Sequence, residues 1–211
     1  MQPIPNSGFT IPNRLARITL QSLEEILTPK GMEQLLVLAQ LPQLIDNYPP
    51  ANLERGFDFA EFGSLNLALE ELYGPRGGRG LALRTGRKLF SGALSHFGAL
   101  AGMEALAFKV LPAGRKLKVG LSALARIFSE ISDQASSVEE TGHEFHYVVH
   151  RNAVCWGRAG EEKPVCYMMV GILQEALNRI SSGREFRVDE ATCQAAGNRL
   201  CRFVILKEPI S

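Results

Sequence analysis

The sequence predicts an α+β fold, an all-helical N-terminal half followed by a four-stranded antiparallel sheet, on three observations. Apolar residues recur at helical spacing from Arg14 to Ser132. Beyond the polar stretch SDQASSVEETG, β-branched and aromatic residues take over. The elements there run strand, strand, helix, strand, strand, an order that builds an antiparallel sheet.

The helical elements follow in order. RLARITLQSLEEILT carries Leu15, Ile18, Leu20, Leu23 and Leu27 on one broad stripe and is closed by Pro29. GMEQLLVLAQL continues in helical style to Pro42, and NYPPANLERG breaks it with a proline pair and a glycine. Phe59, Phe62, Leu65, Leu69 and Leu72 lie at helical period, and Gly74 and Pro75 end that helix. GPRGGRG reads as a flexible interhelical loop, since a phosphate cradle needs a following Lys-Ser or Lys-Thr pair and a preceding strand. Helical pattern resumes from Ala82 to Leu100 with Leu89, Phe90, Leu94 and Phe97 on one side, and the short apolar piece MEALAFKV follows. Leu117, Leu121, Leu124, Phe128 and Ile131 alternate steps of four and three, the clearest helix in the chain.

In the second half, SDQASSVEETG is read as a linker and HEFHYVVHRNAVCWG as a pair of strands. PVCYMMVGILQEALNRISSG opens on Pro164 and ends at Gly183, as a helix does, and EFRVDEA and RLCRFVIL supply two more strands.

Composition bounds the function. At 211 residues and 45% hydrophobic, the chain builds a full core without help from metals or disulfides. A net charge of +1 offers no basic footprint for nucleic acid. MQPIPNSGFTIPN lacks the order of a secretory signal, and no apolar run reaches membrane-spanning length, so a cytoplasmic protein is expected. Four cysteines are too few for a disulfide scaffold, which in a reducing compartment leaves metal binding or core packing.

Two of those cysteines fall within DEATCQAAGNRLC. If the last two strands turn about Gly197, Cys193 and Cys201 stand opposite each other, close enough to share one zinc. Cys166 and Glu190 are the candidates to complete it. Glu190 and Cys193 differ by three, so they share a face only if the strand bulges at Ala191 or Thr192. Cys155 reads as a core thiol, with ligation its lesser reading. Trp156 reads as a core or interface anchor. His143 differs in parity from His146 and His150, which lie about 13 Å apart along a strand, so the three share no metal.

The block from Lys163 to Ile205 resembles the vinyl-four-reductase domain, also present in the sensor region of phenol- and xylene-responsive activators. The shared pattern falls at Pro164, Val165, Cys166, Gly171, Glu190, Cys193, Gly197, Cys201 and Phe203. The resemblance implies helices packed on the four-stranded sheet, as in transport-particle subunits and haem nitric-oxide-binding domains. It divides the chain into a helical part, 1–134, and a zinc- and ligand-binding part, 135–211. It implies a structural zinc held by Cys166, Glu190, Cys193 and Cys201, a hydrophobic or aromatic ligand between sheet and helices, and a homodimer. The rival readings are an accessory protein of bacteriochlorophyll or other tetrapyrrole synthesis and a ligand-free scaffold. No GxGxxG stands between a strand and a helix and no catalytic constellation is seen, which leans against an enzyme.

Overall fold

The structure is a computed structural model and describes residues 2–101 and 111–210. The helical piece expected at 103–110 and the Phe97 side chain lie outside the described residues. A short strand β1 (Thr10–Pro12) leads into helix α1 (Asn13–Glu24) and helix α2 (Pro29–Leu38). Pro29 thus opens a helix as well as closing one. Its missing N–H costs nothing in a first turn, and the Thr28 side chain accepts the Gly31 N–H. Strand β2 (Arg55–Asp58) pairs antiparallel with β1, so the first half is not wholly helical. Three- and four-residue strands bounded by prolines leave little alternation to read.

Helix α3 (Phe59–Ala101) runs through GPRGGRG, the stretch read as a loop. Its only break is a kink at Gly74, whose φ of 72° suits a residue without Cβ. Pro75 then restarts the helix at a first-turn position. Helix α4 (Ala113–Ile131) follows. Its apolar face is buried by the same chain, with Leu117 and Leu121 at 4% and 0% exposure.

Strand β3 (Ser136–Glu140) occupies the stretch read as a linker, and β4 (Glu144–Val149) pairs with it. An edge strand with one weakly buried face carries a polar sequence, which hid it. Residues Ala153–Cys155 form a single 3-10 turn in place of the second expected strand. Helix α5 (Tyr167–Ile180) leads to β5 (Phe186–Thr192) and β6 (Cys201–Pro209), and the sheet order is β3-β4-β6-β5, antiparallel throughout. Phe145, Tyr147, Phe203 and Ile205 are fully buried in a core shared with the helices.

Helix α5 crosses α3 with the two backbones in contact. A Cβ on Gly86 would meet the Met168 carbonyl oxygen, and one on Gly171 the Leu83 carbonyl oxygen. This crossing fixes where α5 begins and so where Cys166 sits.

Candidate functional site

Four chain segments converge on one point. Cys166 is the N-cap residue of α5, Cys193 follows β5, Cys201 opens β6, and Cys155 ends the 3-10 turn after β4. All four are buried, and their Sγ atoms lie within 4.8 Å of one another. Three of the separations are 3.7 Å for Cys155–Cys201, 3.7 Å for Cys166–Cys193 and 3.9 Å for Cys166–Cys201. Four sulfurs bound at about 2.3 Å in a tetrahedron stand about 3.8 Å apart, so the cluster has the dimensions of a tetrathiolate metal site. All four cysteines are free thiols.

The hairpin closes by way of a 3-10 turn at Gln194–Ala196 and a left-handed Gly197, φ 84°. The register of β5 against β6 slips between Glu190 and Thr192, where Glu190 faces Phe203 and Thr192 faces Arg202. Ala191 is the extra residue, so the bulge that the spacing of Glu190 and Cys193 required is present.

Donors point at the sulfurs. Asn152 Nδ2 donates to Cys166 Sγ at 3.2 Å, and the Gln194 N–H donates to Cys201 Sγ at 3.3 Å. Such bonds favour thiolates over thiols. Burial pushes the Cys166 thiol up, while hydrogen bonds from Cys155, Cys166 and Cys201 bring Cys193 down, making it the readiest thiolate. Four thiolates at these separations repel one another unless a cation sits among them.

Glu190 stands beside the sulfurs and outside their group. Its Oε2 accepts the Cys166 N–H at 2.8 Å, and its Oε1 is buried without a partner. Burial, aided by the negative charge of Cys193, pushes its carboxyl up to about 9. The structure therefore brings Cys166, Cys193 and Cys201 together as the sequence expected, sets Glu190 alongside, and adds Cys155. Asn152, fully buried, was not anticipated, and nothing in its local sequence marks it.

Trp156 anchors the core, with ring centroids 5.5 Å from Phe9 and 5.8 Å from Phe59. The strand histidines stay apart from the sulfurs. His146 donates to Glu144 at 3.0 Å and accepts from Arg202 at 2.9 Å, while His143 and His150 are exposed.

A second feature lies along α5. An apolar cavity of about 50 Å³ is enclosed by α1, α3, α4 and α5, with Phe90, Leu124, Phe128, Ile172 and Ile180 among its walls. Among the described residues no strand residue lines it, so it does not lie between sheet and helices as expected. Every described lining side chain is aliphatic or phenylalanine, apart from Gly120.

Fold and site together define an α+β module with a metal-ready thiol cluster at one end of a helix and an apolar cavity along the other. Residues 145–207 match the model of the vinyl-four-reductase domain, so the C-terminal part of this chain is a domain of that family. None of the curated proteins searched matches the sequence. The fold is similar to that of H-NOX proteins. With the H-NOX protein of S. oneidensis in its Fe(II)NO ligation state the identity is 12%, with a TM-score of 0.57 and coverage of 92% of this chain and 98% of that one. With the unliganded Fe(II) H-NOX protein of K. algicida it is 12%, with a TM-score of 0.57 and coverage of 95% and 97%. At this identity the likeness is one of fold. Among the described residues no helix is long and apolar enough to cross a membrane.

Proposed function

We propose that this chain is a sensory or carrier-like module that binds an uncharged hydrophobic small molecule in the helical cavity, with a structural zinc in the thiol cluster. The observation that carries the ligand reading is the lining, whose described residues offer no hydrogen-bonding side chain to a polar or charged guest. An apolar cavity of about 150 Å³ accepts a benzene ring, so a ring enters this one, about a third as large, by widening it.

The zinc reading rests on the tetrahedral spacing of the sulfurs and on the N–H donors aimed at them. Cys166, Cys193 and Cys201 supply three ligands, and a fourth comes from a neighbour. A closed shell of four protein ligands is a structural site and offers no water for hydrolysis. Zinc here would fix the start of α5, the helix whose later turns wall the cavity.

Haem, the cofactor of the H-NOX comparison, fits poorly. The cavity lacks the volume of a macrocycle, and no described lining residue offers an axial nitrogen, sulfur or phenolate. That weighs against the tetrapyrrole-accessory reading as well. The homodimer loses its first argument, because the stripes at Phe59–Leu72 and Leu117–Ile131 are largely buried within the chain. It is retained on the exposed Val37, Leu53, Val119 and Ile210 side chains alone.

Native mass spectrometry of freshly purified, reduced protein tests metal and assembly together. About one zinc per chain is expected, and a metal-free preparation that folds normally would refute the structural site. A thermal-shift screen of alkylbenzenes, fatty acids and porphyrins tests the cavity. Alkylbenzenes should raise the melting temperature and porphyrins should not; the reverse order would refute the ligand class.

A further inference from the structure

Three thiolates leave one tetrahedral position, and two side chains compete for it, Cys155 and Glu190. We propose that Cys155 takes it, so that the metal is held by four thiolates and Glu190 acts from outside the shell as a positioning residue. The proposal rests on the metal reading above and goes beyond it in naming the ligand set.

Geometry favours Cys155. Its sulfur lies 3.7 Å from Cys201 Sγ, the same separation that divides Cys166 from Cys193. An ion at the centre of the four sulfurs reaches each at an ordinary metal–sulfur distance without moving any of them. For Glu190 to ligate, the ion would have to sit off that centre. Cys155 would then be left as a buried thiol facing three sulfurs, a setting unlike the apolar contacts of a packing cysteine.

The segment carrying Cys155 is also built to hold it there. Asn152 Oδ1 accepts the Val154 N–H, which fixes the 3-10 turn, while its Nδ2 donates to Cys166 Sγ. One buried side chain thereby sets both the turn and a neighbouring sulfur. On the far side, Trp156 is wedged edge-on between Phe9 and Phe59. Arg158, with only 5% of its side chain exposed, is tied to Glu70 at 2.8 Å and Glu161 at 2.7 Å. Cys155 is thus fastened on both flanks.

Glu190 already has a task. Its Oε2 takes the Cys166 N–H, orienting the residue at the head of α5. A positioning group of this kind tunes a metal site by about 10–100-fold in affinity while leaving the ligand count unchanged. Its partnerless Oε1 marks it as the rival, and the experiment is chosen to separate the two.

Cobalt(II) loaded in place of zinc into the full chain gives thiolate-to-cobalt absorption that grows with the number of thiolates. C155A should lose about a quarter of that intensity per bound ion, and E190Q should keep it, with weaker binding at most. Against poor folding of C155A, X-ray absorption on the unaltered, zinc-loaded protein provides the second measurement. A shell of four sulfurs is expected. A shell of three sulfurs and one oxygen, or an E190Q spectrum that changes while that of C155A does not, would overturn the proposal and leave the metal reading standing. Unaltered protein that takes up neither ion would overturn both.

Discussion

The substitution Gly120→Ala tests whether the cavity is real and usable space. Gly120 is buried in the middle of α4, at the cavity wall. Alanine there gains about 1 kcal/mol of helix propensity. Its Cβ would collide with the Cδ1 end of Ile180, a side chain that itself lines the cavity and has room to turn into it. Turning it costs about 0.5–1.5 kcal/mol if the new rotamer is strained. At about 24 cal/mol per Å³, a void of about 50 Å³ carries about 1.2 kcal/mol, of which a displaced methyl recovers about half. The balance is a stabilisation of about 0.5–1 kcal/mol, which at this size raises Tm by about 2–3 °C. Denaturant unfolding with an unchanged m-value would assign the gain to the native state. The same variant should respond less to alkylbenzenes, since Ile180 now occupies part of their space. A fall in Tm of a few degrees, with the ligand response intact, would show that the wall around Gly120 is packed solid and the reasoning wrong.

Three further substitutions probe other parts of the frame. Gly171→Ala places a methyl on the Leu83 carbonyl, which is backbone and cannot step aside, so a loss of about 3 kcal/mol is expected in denaturant titrations; a neutral effect would mean the helices are not in backbone contact. Arg158→Met strands Glu70 and Glu161 beside a buried apolar side chain and should cost about 3 kcal/mol and lower metal retention under chelator, whereas a surface-like loss below about 0.5 kcal/mol would contradict the burial. Burial raises the Asp58 carboxyl, but the N–H groups of Ala60, Ser7 and Gly8 and the Ser7 hydroxyl outweigh it and hold the group below its ordinary range. Its folded pKa being depressed, that stability is present above the unfolded value of about 3.9 and is lost as pH falls through the folded one. Asp58→Asn should flatten this acid limb, and a limb of undiminished steepness would count against it.

Much of this was legible in the sequence where periodicity was long. The stripe from Leu117 to Ile131 and the helix opened by Pro164 stand where their spacing places them, because a buried helical face has to repeat its apolar residues. The thiols of Cys166, Cys193 and Cys201 were likewise readable, two from a glycine turn and one from a helix start. Cys155 was not, since it arrives from a turn after β4 with no fixed spacing to the others, and only tertiary packing brings it near. β3 failed for the opposite reason. Its residues Ser136 to Glu140 are polar enough to pass for a linker, and a strand at a sheet edge needs only one partner. GPRGGRG misled because glycines usually mark loops. Here Gly78 lies against the Leu69 and Glu70 backbone, a close approach that a helix with larger side chains would not allow.

The crossing at Gly86 and Gly171 makes α5 a lever with a fixed fulcrum. Gly171 lies five residues from Cys166 and nine from Ile180, or about 7.5 Å and 13.5 Å of helix. A guest that pushes the long arm outward swings the short arm the other way by about half as much, so a widening of 1 Å at the cavity arrives as about 0.5 Å at the Cys166 sulfur. A metal ion clamping the short arm then resists entry of the guest, and by reciprocity the guest loosens the metal. An affinity for alkylbenzenes that is identical with and without zinc would show that the fulcrum transmits nothing.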